Sequence, residues 1–413
     1  MKFSKLSQLF LVSMIGLLVA TLLTSCEIVT IDYVFVASSA GSGIGSAGQI
    51  ETYDADSQTG ALRSGQPTVS SGGISPVSMA ITSDYANLYV ANQGNPAASP
   101  VVSPTLVHFA LAGNGVLTLK DTVTLSTTPV SIAVNAAGTY LYVASGPNPS
   151  TLTAYSLSSG AIGSVASQQP LNLYNAYASY STDVIVPTGV TVLPNGNAVY
   201  VSAYDQSAYN PGGSTSSTAN PGWLFGYTTG SGGALTAAPN PYEAGIRPAG
   251  LTADPTNRFI YVTDFASNEL IGYTILANST LDYMVNGPFK TGNEPQAVVV
   301  DPRGLYVYVA NELDSTVSSY TINLGSGTPS ASYNQTGSAN STDTQPVAIL
   351  VDPALGRFVY TANHLGNSVS GFKMNPDTGV LAQTQATPYP VGYHPTALAS
   401  VPHGNHATQT VSP

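Results

Sequence analysis

The feature that most restricts this chain is a repeat of about 50 residues, long enough for one small sheet per copy. Each copy opens on a proline, runs as a short apolar strand, crosses a polar turn and returns along an apolar strand built round Tyr-Val. The copies read PVSMAITSDYANLYVAN from Pro76, PVSIAVNAAGTYLYVAS from Pro129, PTGVTVLPNGNAVYVSA from Pro187, PAGLTADPTNRFIYVTD from Pro248, PQAVVVDPRGLYVYVAN from Pro295 and PVAILVDPALGRFVYTAN from Pro346. Counted through the second strand there are seven, at Phe35, Tyr89, Tyr142, Tyr200, Tyr261, Tyr308 and Tyr360. A unit of this size cannot bury its own apolar face, so the copies must stack. The copy at Phe35 lacks a leading strand, and a spare one stands at the far end, Pro395 to Val401. The pattern predicts an all-β, seven-bladed β-propeller with four-stranded blades, its ring closed by the C-terminal strand pairing in the first blade.

A second regularity separates this ring from a two-sheet sandwich, the main alternative. Two places after each leading proline the residue is small, from Ser78 and Ser131 through Gly189 and Gly250 to Ala297, Ala348 and Ala397. The next residue is large, as at Met79, Ile132, Leu251 and Leu398. Alternation puts the two on opposite strand faces. Strands crowded round an axis need one small face, and flat sheets do not.

The N-terminus has a separate character. Lys2 and Lys5 precede an apolar run from Leu9 to Leu23, the layout of a secretory signal. Leu-Thr-Ser-Cys then ends at Cys26, the one cysteine in 413 residues, and resembles the lipobox of bacterial lipoproteins. The expected organisation is a signal peptide over 1–25, a lipidated Cys26 with a short linker over 26–31, one propeller over 32–401 and a flexible tail over 402–413. The chain is then exported to the periplasm or cell surface, held to a membrane through lipid on Cys26, and monomeric. One cysteine excludes an internal disulfide, a CxxCH haem site and thiolate metal clusters. A net charge of −11 argues against nucleic acid as a partner.

Because strands in a blade alternate direction, the repeat also sorts loops by face. Turns holding Arg258, Arg303 and Arg357 fall at one end, where these arginines are expected to be solvated. Residues before the leading prolines, and those after the Tyr-Val strands, fall at the other. There the charged residues come from neighbouring blades: Arg247, Asp264, Glu294, Glu312, His364 and His394. Such convergence of guanidinium, carboxylate and imidazole is what chemistry needs. Asn92, Asn311 and Asn363 recur at one position and are expected to bond local backbone. No cofactor is expected; a calcium ion on Asp264, Asn311 and Glu312 is the one metal alternative. Blades two to four carry long loops at the same end, Gln93 to Pro104, Ser164 to Val186 and Tyr204 to Gly222. Their Tyr174, Tyr177, Tyr180, Tyr204 and Tyr209 are expected to form an aromatic wall on which a sugar stacks.

The segment VDPRGLYVYVANELDSTVSSYTI resembles the lactonase-type propellers, which include 6-phosphogluconolactonase and relatives of the muconate lactonising enzyme. The Thr-Gly-x-Leu turns at Ser57 to Leu62 and at Asp377 to Leu381 agree with it. IYVTDFASNELIGYTI is similar to the YVTN repeats of cell-surface propellers, which are not generally enzymes. The likeness runs over residues 32–401. It implies an active site with Arg247, Glu312 and His394; the loop sorting itself offers Asp264, Glu294, Asn311, Tyr174, Tyr177 and Tyr204 as ligand contacts. The chain departs from the family where Arg-His often precedes the inner strand, since Arg247 is followed by Pro248. The implied chemistry is attack of water on a lactone carbonyl, with His394, His364 or Glu312 as base and Arg247 on the oxyanion. With one obvious cation, an unphosphorylated sugar or aromatic lactone fits better than a phosphorylated one. The alternative is a non-catalytic propeller that binds a glycan or a protein.

Overall fold

The computed structural model describes residues 29–42, 45–95, 97–173, 184–209, 221–331 and 340–404. Their strands gather into seven antiparallel sheets, one per blade. Inner strands are Pro76–Ile81, Pro129–Val134, Ile185–Val192, Pro248–Ala253, Pro295–Val300 and Pro346–Val351 in blades 2 to 7, and Tyr393–Pro402 in blade 1. They touch in blade order, and blade 7 touches blade 1, so the ring is complete. In blades 1 and 4 to 7 the fourth strand is broken in two. Leu281–Tyr283 and Phe289–Lys290, for example, both pair with Glu269–Ile275, so the blade stays four strands wide.

Closure follows the expected pairing. Thr30–Ser39 lies between Ala47–Asp56 and Tyr393–Pro402, with Tyr33 opposite Val401, Phe35 opposite Ala399 and Ala37 opposite Ala397. The ordered closure reaches past the expected tail boundary. Pro402 pairs with Asp32, the His403 N–H donates to Ile31 O at 2.8 Å, and the His403 ring stands edge-on to Tyr33 at 5.3 Å. Residues 405–413, the expected signal segment and Cys26 lie outside the described residues.

The small inner residues act as expected, by letting neighbouring backbones approach. A Cβ on Gly250 would lie 2.8 Å from Ala297 Cα of the next blade. Ser78 and Ser131 use their hydroxyls there, accepting the N–H of Ile132 and Val190 at 3.1 and 3.3 Å. The repeated tyrosine has a second use that alternation did not reveal. From blade to blade its hydroxyl donates to a carbonyl in the neighbour's outer hairpin: Tyr89 to Gly160 at 2.6 Å, Tyr261 to Gly327 at 2.6 Å, Tyr308 to Gly379 at 2.9 Å and Tyr360 to Gly60 at 2.8 Å. Gly60 and Gly379 are the glycines of the Thr-Gly turns and both have positive φ.

At the hairpin end two arginines differ from expectation. Arg258 pairs with Asp254 at 3.1 Å and also donates to Gly304 O of blade 6. Arg303 pairs with Asp301 at 2.8 Å and donates to Pro376 O of blade 7. Both carboxylates are fully buried, so each arginine compensates a buried charge and ties two blades. Arg357 alone of the three is exposed. Asp352, in the equivalent turn, accepts four backbone N–H groups, from Leu355, Gly356, Arg357 and Phe358. Facing it is Asp32, fully buried. Burial first, and the Asp352 charge second, hold the Asp32 carboxyl well above the ordinary aspartate range.

Candidate active site

Each inner strand carries a register irregularity just after its proline. The extra residue turns the next side chain toward the axis, where Val77, Val130, Thr188, Gln296, Val347 and Thr396 line a channel of about 640 Å³. Gln296 is the long polar residue of this set, and its Oε1 is buried without a partner. The strand alternation gave no sign of this ring, since a bulge breaks the period of two.

At one end of the channel the two predicted loop sets meet. The residue after the second strand donates its N–H to the carbonyl of the residue before the proline: Gln93 to Ser75, Gly146 to Thr128, Phe265 to Arg247, Glu312 to Glu294 and His364 to Gln345, at 2.7 to 2.9 Å. Glu312, His364 and Gln93 thereby reach the channel wall.

Arg247 lies in this mouth with its guanidinium over Phe265, 4.1 Å from the ring centroid, and 5.9 Å from that of Tyr204. It belongs to no ion pair among the described residues, and its Nε is buried without a partner. Stacking leaves the outer edge of a guanidinium free to meet an anion. Glu312 feels Glu294 and Arg247 together. Burial, then the Glu294 charge, push its carboxyl above the ordinary range, and Arg247 opposes them.

His364 and His394 stack, with ring centroids 4.6 Å apart and planes at 26°. The His364 Nδ1 lies 3.3 Å from Pro395 O, which can only accept, so Nδ1 carries the proton and Nε2 keeps its lone pair. Burial chiefly, with the neighbouring His394 adding to it and the Pro395 carbonyl opposing, holds His364 below the ordinary imidazole range. It is therefore a neutral base near pH 7.

The predicted charges thus converge as two groups. Arg247, Glu294 and Glu312 stand in blades 5 and 6, His364 and His394 in blades 7 and 1, and Glu312 and His364 share the channel wall. Asp264 and Asn311, expected as ligand contacts, are structural instead. Asp264 takes backbone N–H groups from Ile246, Arg247, Ala266 and Ser267. Asn311 accepts from Gly292 N–H and donates to Thr316 and Ser318 hydroxyls. Among the described residues no group of three or more His, Cys, Asp or Glu side chains that could hold a metal ion is present. Asn92 donates to the Ser71 carbonyl and bonds the hydroxyls of Ser71 and Thr105, whereas Asn363, expected to bond backbone, bonds the hydroxyls of Thr361, Ser368 and Ser370. Tyr204 sits at the end of a strand rather than in a loop, buried beneath Arg247 with Tyr209 edge-on at 5.7 Å. Part of the long loop expected from Ser164 is the outer strand Ala161–Pro170. Tyr174, Tyr177 and Tyr180 lie outside the described residues.

Comparison with solved structures agrees with the ring. The periplasmic gluconolactonase of Pseudomonas aeruginosa superposes with a TM-score of 0.72 at 18% identity, covering 90% of this chain and 100% of that one. A protein of Bacteroides uniformis described as a candidate 6-phosphogluconolactonase gives 0.71 at 17% identity, with 90% and 100% covered. A protein of Lactobacillus plantarum gives 0.67 at 15%, again with 90% and 100% covered. Identities this low speak for the fold alone, and no curated protein matches the sequence. The model of the lactonase family, described as a seven-bladed β-propeller, matches residues 177–407. That span is more than half of the chain and holds every charged residue of the mouth, so the protein belongs to the seven-bladed β-propeller lactonase family.

Proposed function

We propose that the channel mouth hydrolyses a small lactone, with His364 as general base and Arg247 as the oxyanion-stabilising cation. The reading rests chiefly on one observation: a guanidinium stacked on Phe265, in no ion pair among the described residues, acts on Glu312, which lines the channel together with His364, an imidazole that carries its proton on Nδ1. Water adds to the lactone carbonyl as His364 Nε2 takes its proton. Negative charge then gathers on the carbonyl oxygen, where the Arg247 edge stabilises it. Collapse breaks the ring C–O bond. The departing alkoxide takes a proton from the His364 imidazolium or from Glu312, which holds its proton more firmly than an ordinary glutamate. The product is a hydroxy acid. Among the described residues of the mouth Arg247 is the one Lys or Arg outside an ion pair, and with Glu294 and Glu312 in the same mouth this suits a neutral sugar or other small lactone better than a phosphorylated one.

The same proposal places the protein in the cell envelope, lipid-anchored at Cys26. The first strand starts at Thr30 beside the hairpin end and reaches the mouth at Ser39, so a lipid four residues before Thr30 would leave the mouth facing away from the membrane. A lactone panel assayed with the wild type and with combined Arg247→Ala, Glu312→Ala and His364→Ala tests the site. Hydrolysis lost in the variant supports it. Hydrolysis that survives there refutes the assignment, and a wild type inert on every lactone favours a binding propeller.

A further inference from the structure

Three consecutive blade junctions are built alike, and each holds the residue before the next proline, Glu294, Gln345 or His394, by the same kind of side-chain hydrogen bond. After the second strand of blades 5, 6 and 7 the turn ends on Asn268, Ser315 or Asn367, each in the left-handed region with φ of 59°, 54° and 50°. The carbonyl of each accepts an N–H from the segment leading into the next inner strand, of Thr291, Thr342 and Val391 respectively, at 2.9 to 3.1 Å. Its side-chain oxygen accepts a second, from the residue before the proline: Asn268 from Glu294 at 2.8 Å, Ser315 from Gln345 at 3.3 Å and Asn367 from His394 at 2.9 Å.

Those three acceptances hold strained residues. Glu294, Gln345 and His394 are themselves left-handed, with φ of 53°, 59° and 49°. No glycine relieves them, and such a conformation persists only where its surroundings dictate it. Glu294 and Gln345 pass the constraint on, since their carbonyls accept the N–H of Glu312 and His364. His394 is gripped from the other side as well, because Glu51 Oε1 accepts the N–H of Gly392 at 2.7 Å. The pre-proline Ser75 of blade 2 is left-handed as well, with φ of 55°, whereas Thr128, Val186 and Arg247 of blades 3, 4 and 5 are not.

We infer that Asn367 is a positioning residue: by accepting the His394 N–H it holds that backbone left-handed and sets the imidazole against His364. Asn268 does the same for Glu294 beside Glu312. A role confined to the turn itself would need only the Asn367 carbonyl. The inference rests on the reading of His364 as the base. The titratable groups around His364 are His394, stacked on it, and Glu312 along the channel wall.

The test uses the full chain with two changes at one position. Asn367→Gly keeps the left-handed freedom and removes the side-chain acceptor, whereas Asn367→Ser retains an acceptor as Ser315 does one blade earlier. Folding is checked by circular dichroism, and the C2 protons of His364 and His394 are titrated by NMR beside kcat and KM on a δ-lactone. The glycine variant should shift the His364 midpoint upward toward free imidazole and lower kcat by roughly ten- to a hundredfold with KM nearly unchanged. The serine variant should restore both. An unchanged titration and kcat in Asn367→Gly, or a folded Asn367→Ser that rescues neither, overturns the inference. If the wild type hydrolyses no lactone the hydrolase reading falls, and the histidine titration alone then decides the positioning role.

Discussion

Blades 5 to 7 and blades 2 to 4 share one strand plan but build the mouth in opposite ways. In blades 5 to 7 the second and third strands are joined by turns of one length, with Asp264 opposite Glu269, Asn311 opposite Thr316 and Asn363 opposite Ser368. In blades 2 to 4 the last pairs are Asn92 with Thr105, Ser145 with Thr151 and Tyr204 with Gly222. Blades 5 to 7 carry Glu294, Glu312 and His364, with His394 next door on the closing strand of blade 1, and among the described residues blades 2 to 4 place no carboxylate or imidazole beside the channel. Chemistry needs groups held in place, and a tight turn with its amides engaged holds them better than a long loop. Asp264 and Asn311 occupy one position in successive blades and serve that rigidity, and Glu312 and His364 stand one residue beyond such a position.

This contrast can be broken most directly at the base. His364→Gln should lower kcat/KM on a lactone by about 10² to 10⁴, while Gln93→Ala, on the channel wall of the variable half, should change it less than about threefold. Equal losses in steady-state assays would erase the distinction. Arg247→Met keeps the stack on Phe265 without the charge and should cost about 10² to 10³ in kcat. A variant that loses only KM would make Arg247 a binding residue.

The pH profile sharpens the same point. His364 must be neutral to act, and its pKa is depressed, so the acid limb of kcat/KM should fall below the free-imidazole value of about 6.5. His394→Ala removes one of the depressing causes, and the limb should then move upward. A limb that stays in place would assign the titration to Glu312.

Smaller effects lie away from the mouth, at the closure and between blades. Asp32 keeps its proton in the folded chain above the pH, about 3.9, at which the unfolded chain loses it. Its contribution is full below that value and declines as pH rises toward the folded pKa. Asp32→Asn should therefore raise Tm at pH 8 and do so less at pH 4, and a lower Tm at both would show that the carboxyl is needed. Tyr308→Phe removes the bond to Gly379 O and should cost about 1 to 3 kcal/mol in urea unfolding. The same change at Tyr142, whose hydroxyl makes no such bond to the next blade among the described residues, should cost less.

Much of the ring was legible from residue order. The spacing of Tyr89, Tyr142 and their equivalents, and the stray strand after Pro395, determined the blade number and the closure, because period-two alternation and edge pairing are local rules that any strand obeys. They also determined which loops share an end, and so brought Arg247, Glu294, Glu312, His364 and His394 to one face. What tertiary structure alone decided was the partner of each polar group. Asp264 and Arg247 are both charged residues beside a proline or a turn, yet one takes four amides and the other is in no ion pair among the described residues. Arg258 and Arg303 look like surface turn residues until Asp254 and Asp301 are seen buried beside them. The bulge after each proline, the left-handed residues and the Nδ1 proton of His364 depend on contacts across blade junctions, between residues far apart in the chain, and no local pattern reports those.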